Sequence, residues 1–359
     1  MKVKSVLETL IYPPDRVIGD LWIVRNLVTK RNYKISSPNL AILLYCKIPH
    51  TVEDVLDFFY TKYGIKKELI HLGLQKLIAT DLLLKVKQET DNTNEVLGLE
   101  FDNWYKYNWY MALLYHLVSF DYPFIEDYAA KQRMISYSSQ ERDSNRYKEY
   151  NSQVSFVIPK ATELKIPEDN IAMQKCVNFG NLLTIASLGY TKLGSLRVYW
   201  DGDPLLLRTS PSGGSRHPTE TYIVAINVEG LMSGWYHISV KDSKLEQIKI
   251  GGTNPDELRF LFPTTYVRPN FHVDLILIFT SIFERNMYRY REPRTFRTIH
   301  MDVGHLAATT ELICEALGYK YLIQYSANDE GIENFLGLNP LKEGYMASMA
   351  IGHLEEGKF

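Results

Sequence analysis

From Phe271 to Phe283 the chain reads FHVDLILIFTSIF, apolar at nearly every position rather than at alternate ones. Such a run predicts a central strand buried on both faces. Around it the pattern changes period. Residues 221–228 predict a β-branched strand, and SGWYHISV and KLEQIKIGG predict a hairpin-like pair after it. VNFGNLLTIASLGYTKLG carries Leu182, Leu183, Ile185 and Leu188 at helical spacing, and HMDVGHLAATTELICEALGYK predicts a long helix. YLIQYS, GIENFLGL and YMASMAIGHL follow as a strand, a short helix and a final strand. Helices around a mostly antiparallel central sheet predict an α+β domain over 166–359.

Residues 1–88 have another rhythm. Strand candidates at Val3–Tyr12 and a pair around Leu21–Val28 and Asn32–Ile35 precede three helices. SPNLAILLYCKIP predicts a helix capped by Ser37 with Pro38 at its first position. TVEDVLDFFYTKYG predicts one capped by Thr51 and stopped by Gly64. KKELIHLGLQKLIATDLLLKV runs a third helix into a strand over 82–86. Three helices closed by a strand predict a winged helix-turn-helix. Its third helix mixes Lys66, Lys67 and Lys76 with Glu68 and Asp81, which is not the basic surface that nucleic acid requires. Residues 89–165 start polar and become aromatic-rich, a connecting region.

Composition adds little and excludes some classes. At 359 residues two domains are expected, and a net charge of −2 argues against a nucleic-acid partner. Cys46, Cys176 and Cys314 are far apart with no ligand spacing, so reduced thiols and no metal site are expected. Neither a signal-peptide core nor a membrane-length apolar run is present, and the expected location is the cytoplasm.

Candidate chemistry begins at SPSGGSRHPTETYIVAI, Ser210 to Ile226. Gly213 and Gly214 permit positive φ and a close backbone approach, and successive amides there can form an anion nest. Arg216 adds a charged fork and Pro218 stiffens the exit. A Gly-Gly pair alone would read as a hairpin turn; the full string resembles the PSGGxRHP signature of the SagB-type, McbC-like branch of the flavin nitroreductase superfamily. That branch comprises FMN-dependent azoline dehydrogenases, which make thiazoles and oxazoles in ribosomal peptides. FERNMYRYREPRTFRTIHMDVGHLAATTELICEALGYKYLIQY resembles the branch's KYxxRxYRxxxxDxGHxxxN segment, and NFLGLNPLKEGYMASMAIGH its closing block. By itself, MYRYREPRTFR would read as a basic, aromatic surface loop. Residues 1–88 resemble the PqqD-like leader-peptide recognition element, a winged helix that clamps a peptide by strand addition.

The resemblance implies a nitroreductase-like FMN-binding fold preceded by the winged helix. It further implies FMN-dependent dehydrogenation of azoline rings, with base removal of the α proton and hydride transfer to flavin N5. Ser212, Gly213, Gly214, Arg216 and His217 would line the FMN ribityl, phosphate or ring edge, and Gln324 and Tyr325 would approach the ring. A leader peptide on the N-terminal domain, a cyclodehydratase complex and a homodimer are the implied partners. Small residues Gly304, Ala307 and Ala308 fit a helix at the dimer interface, and His305 fits a core or a site position equally.

Two departures stand out. The branch's proton-transferring Lys-Tyr pair falls on Arg289 and Tyr290, and a guanidinium stays protonated and cannot act as a general base. Tyr290 would then carry the proton while Arg289 favours its phenolate or steadies negative charge on the substrate. The Arg-Arg-Ser-x-Arg string of nitroreductases is also missing: VSFVIPKATELKIPEDNIAMQK has no arginine. Arg216 with Arg208 is the favoured phosphate pair, with Lys160, Lys358 or an upstream arginine as alternatives. These departures keep open an oxidoreductase acting on another substrate, or a degenerate scaffold of a peptide-modifying complex.

Overall fold

The computed structural model describes residues 1–6, 9–12, 21–86, 102–120, 132, 135–137, 146–164, 176–196 and 205–354. The chain divides into two compact units, 1–122 and 123–359. Residues 87–101, which include the polar start of the connecting region expected over 89–165, lie outside the described residues, as does Lys358.

In the first unit the expected strand over 3–12 is two strands, β1 (Lys2–Ser5) and β2 (Thr9–Tyr12), and they join different sheets. β2, β3 (Trp22–Asn26) and β4 (Asn32–Ile35) form one antiparallel sheet. β1 lies between β5 (His50–Thr51) and β6 (Leu83–Val86) in the other. The three helices are α1 (Ser37–Tyr45), α2 (Val52–Tyr63) and α3 (Lys67–Ala79). Ser36, not Ser37, occupies the α1 cap position, because helical backbone already begins at Ser37. Thr51 and Asp54 close a capping box on α2, and Gly64 ends it at φ 66°. Val3, Leu40, Leu43, Val55, Phe59, Ile70, Leu74, Leu77 and Leu83 fuse these elements into one winged-helix core. α4 (Asp102–Lys106) and α5 (Tyr110–Ser119) complete the unit, with Leu113 and Leu117 packing on Leu27.

The second unit is built on a seven-stranded antiparallel sheet, order β14-β15-β13-β10-β11-β12-β7. Its strands are β7 (Ser155–Val157), β10 (Thr219–Ala225), β11 (Gly234–Ser239), β12 (Lys244–Ile250), β13 (His272–Ile282), β14 (Lys320–Gln324) and β15 (Glu343–His353). Short β8 (Gly194–Leu196) and β9 (Leu205–Leu207) pair apart from it. β13 is central and buried on both faces, as its apolar run predicts. Strand alternation divides its side chains between two cores. Leu275, Leu277 and Phe279 pack with Leu182 and Ile185 of α6 (Phe179–Gly189) and with Val303 and Leu306 of α9 (Thr295–Ala316). Ile276 and Ile278 pack with Leu258 of α7 (Pro255–Leu261) and Ile332 of α10 (Asp329–Leu336). Helices therefore cover both faces of an antiparallel sheet, the α+β arrangement expected. α8 (Glu284–Tyr290) is the exception to the sequence reading. MYRY is helical and buries Arg285, Asn286 and Arg289, where a basic surface loop was the plain reading.

Candidate functional site

The register of β10 on β13 decides what meets at the site. Thr219 lies opposite Ser281, and the Ile282 amide donates to the Pro218 carbonyl at 2.8 Å. In an antiparallel pair, the segment entering one strand and the segment leaving its neighbour must lie side by side. The first is the SPSGGSRHP loop and the second is α8, so the pairing joins two motifs that are some 70 residues apart in sequence.

The loop makes a single 3₁₀ turn at Gly213–Ser215, with Gly214 at φ 62°, Ser215 at φ 56° and His217 at φ 46°. Two non-glycine residues at positive φ are strained, so other bonds must hold them. Ser212, Leu206 and Arg285 bond to them directly, and Asp302 on α9 anchors the start of the loop. Its Oδ2 accepts from the Ser212 hydroxyl at 2.7 Å and its Oδ1 from the Gly213 amide at 3.0 Å. The Ser212 oxygen in turn accepts from the His217 amide at 2.9 Å. Burial raises the Asp302 carboxyl above the ordinary range, and the Ser212 and Gly213 bonds offset part of that rise.

The two glycines admit protein atoms. A Cβ on Gly214 would overlap the Tyr290 hydroxyl and sit 3.1 Å from its Cζ. A Cβ on Gly213 would overlap the Thr298 methyl and sit 3.6 Å from its Cβ. Glycine is required here so that a phenol and a threonine can reach the backbone. Gly214 itself is exposed and Tyr290 is half-buried, leaving this contact open on one side.

The structure places the other predicted residues as follows. His217 turns inward: its Nε2 donates to the Leu206 carbonyl at 3.0 Å, and burial with nearby Arg208 pulls its imidazole down to about 3, so it is neutral. Arg208 combines two properties. Burial pulls its guanidinium down to about 10 against the upward pull of Glu220, yet the residue keeps some accessible surface. Its Nε is sealed and has no hydrogen-bond partner among the described residues. Arg216 is half-buried and Arg289 is buried. Gln324 and Tyr325 stand at the end of edge strand β14, three strands along from β10, with Tyr325 exposed. Lys160 is exposed and pairs with Glu163 at 3.7 Å. His305 is exposed on α9 with Gly304 and Ala308, while Ala307 is buried; an exposed imidazole is not a core residue.

Set without a gap on Asp302 and His305, the KYxxRxYRxxxxDxGH motif puts its Lys-Tyr pair on Tyr290 and Arg291, one place beyond the Arg289–Tyr290 reading. In both frames the lysine is gone and Tyr290 is inside the pair.

Sequence reasoning missed Asp302, Glu220, Arg285 and His237 as parts of this region. The available signal was a charged residue inside an otherwise apolar pattern. Asp302 sits on the α9 face that buries Ile299, Val303 and Leu306, and Glu220 shares a strand face with Tyr222 and Val224. Unpartnered buried polar atoms mark the same elements: Arg208 Nε, Arg285 Nε, Thr221 Oγ1 and both amide atoms of Asn286. Each is sealed from solvent and costs about 1–3 kcal/mol if left dry. Among the described residues no group of three or more His, Cys, Asp or Glu side chains could hold a metal ion, and no helix is long and apolar enough to cross a membrane.

Comparison with known proteins bears on the family and the fold. The Trifolitoxin-processing protein TfxB of Rhizobium leguminosarum bv. trifolii is 29% identical over 262 residues, which are 66% of this chain and 69% of that protein. A protein described as a nitroreductase from Methanocaldococcus jannaschii is 25% identical over 199 residues, 54% of this chain and 94% of its own. Among solved structures, one described as a nitroreductase from Anabaena variabilis superposes with a TM-score of 0.51 at 22% identity. That match covers 67% of this chain and only 46% of the other, so the chain spans about half its length. The sequence profile of the nitroreductase family matches residues 174–353, half of the chain and all of the sheet except β7, and the chain belongs to that family of oxidoreductases.

Proposed function

We propose that this protein is an FMN-dependent oxidoreductase that dehydrogenates azoline rings to azoles in a ribosomally made precursor peptide. The observation that carries this reading is the Tyr290 hydroxyl seated on Gly214, in a loop pinned by Asp302 and open on one side. The relative named for processing a toxin supports a peptide substrate.

FMN fits the residues present: the loop backbone is accessible at Gly214, and the half-buried Arg208 brings a guanidinium close to His217 of the same loop for its phosphate. When bound, FMN would supply the two-electron oxidant, accepting hydride from the ring's β carbon. Arg208 and Arg216 would hold the phosphate, and Ser212 and Gly213, fixed by Asp302, would keep the loop backbone against the cofactor. Tyr290, as its phenolate, would receive the α proton at its Oη and become the neutral phenol. Arg289, buried one residue away, would favour that phenolate before the transfer and steady negative charge on the substrate. Residues 1–88 would hold the leader as an added strand on an open edge such as β4 or β6. A cyclodehydratase partner, a homodimer and a cytoplasmic setting belong to the same reading.

One observation favours a second reading. With no lysine in the pair in either frame, the same hydride transfer would serve a substrate that needs no strong base, as in a nitroreductase-like oxidation or reduction. Incubation of the flavin-loaded chain with an azoline-bearing precursor peptide separates the two. Loss of two hydrogens by mass, absent when the leader is removed, is expected. A yellow, reducible protein that leaves the azoline intact would overturn the azoline reading and leave the second. A protein that takes up no FMN would sink both.

A further inference from the structure

A buried chain of charges lies beside the loop, and neither the fold nor the proposed chemistry accounts for it. Glu220, the second residue of β10, sends Oε1 to an Arg285 NH2 at 2.5 Å and Oε2 to His237 Nε2 at 2.9 Å. His237 Nδ1 meets Glu246 Oε2 at 3.0 Å. Glu220, His237, Arg285 and Glu246 are all buried, His237 completely. The strand register aligns them. Tyr222 is opposite His237, which is opposite Glu246, and Glu220 is two residues before Tyr222 on the same face.

An imidazole with a carboxylate at each nitrogen satisfies both only when both nitrogens carry hydrogen. Burial lowers the His237 affinity for a proton, but the bonds and charges of Glu220 and Glu246 outweigh it and raise it. Two carboxylates thus balance an imidazolium and a guanidinium. A balanced buried network of this kind usually contributes little net stability compared with apolar packing. Its geometric output is more telling. The other arm of Arg285, NH1, donates to the carbonyl of His217 at 3.2 Å, at the residue held at φ 46°. Arg285 belongs to α8, five residues before Tyr290. One side chain therefore ties the loop exit to the helix that carries the tyrosine, and Glu220 orients that side chain.

We propose that Glu220 and Arg285 are positioning residues that lock the Ser212–His217 loop onto α8, keeping the Gly214 backbone and the Tyr290 hydroxyl in register, with His237 and Glu246 as the counter-charges that hold Glu220. Lysine cannot replace Arg285, because a single ammonium cannot span Glu220 and the His217 carbonyl as the planar fork does.

Amide hydrogen exchange on the full chain without flavin tests this apart from any proposed activity. The variants are Glu220→Gln and Arg285→Lys. Exchange at Ser215 and His217, whose amides bond to Ser212, should rise about tenfold or more, the weight of one charge-assisted hydrogen bond, while β13 amides stay protected. In Glu220→Gln the imidazole NMR signal of His237 should also move from the doubly protonated toward the neutral position. Unchanged loop exchange in a folded variant would overturn the proposal. So would a rise shared equally with β13, which would mean general destabilisation. Should Glu220→Gln not fold, Glu246→Gln removes only the far carboxylate and should give a smaller rise confined to the same loop; no rise there counts against the proposal.

Discussion

Replacing Gly214 by alanine should damage the site in two separable ways. The residue sits at φ 62°, in the left-handed region, where a Cβ costs about 1–2 kcal/mol whatever surrounds it. The added methyl would also overlap the Tyr290 hydroxyl, so the phenol must move away by about an ångström, a displacement that can cost about 10²-fold in rate when the group is catalytic. Without the hydroxyl the nearest ring atom is Cζ at 3.1 Å, a tight contact that a small tilt relieves. Gly214→Ala should thus destabilise the protein more when Tyr290 is present than in a Tyr290→Phe background, with a coupling of about 1 kcal/mol. Urea unfolding of the four proteins measures that coupling, and turnover of the flavin-loaded pair measures the rate. Equal costs in both backgrounds would show that only backbone strain is at work and that Tyr290 does not seat on Gly214.

Other consequences are equally open to measurement. Tyr290→Phe should leave FMN uptake intact and reduce azoline turnover by at least about 10²-fold, the weight of one positioned acid–base group; full activity would remove its assigned role. Arg208→Met should weaken FMN binding by roughly tenfold or more while leaving the flavin-free protein as stable or more stable, because a sealed guanidinium Nε loses its desolvation cost. Flavin titration and thermal unfolding would read the two effects, and a less stable protein would contradict the desolvation cost assigned to Arg208. Asp302→Asn should lower stability by about 2 kcal/mol and release the Ser212 and Gly213 bonds, visible as faster exchange of the Gly213 amide. Burial pushes the Glu220 carboxyl up, but Arg285 and His237 together hold it down to about 2, below its usual 4.5. A depressed carboxyl stabilises above its unfolded value and loses that contribution as pH falls. The stability gap between the natural chain and Glu220→Gln should therefore be full above about pH 5 and close toward pH 2; a gap independent of pH would refute the ion pair.

Local rules already determine the elements of this protein. The continuous apolar run fixes β13 as a strand buried on both faces, Thr51 and Gly64 bound α2, and the Gly-Gly-Ser stretch requires a backbone that few residues can adopt. Each of these depends on neighbours within a few positions, so the chain carries the information openly. α8 was hidden because four aromatic or basic residues in seven, with two arginines buried, look like surface when their partners are unknown. The partners are remote: Glu220 for Arg285, Asp302 for Ser212 and Gly213, Gly214 for Tyr290. Only the antiparallel register of β10 on β13, with α9 laid across one face, brings these residues together. Register is a property of paired strands rather than of either one, and burial reverses the meaning of a charge. The sequence alone thus determines which segments can form the loop, the strand and the helix. The tertiary pairing decides that the two glycines receive a tyrosine and a threonine, and that His217 serves the interior.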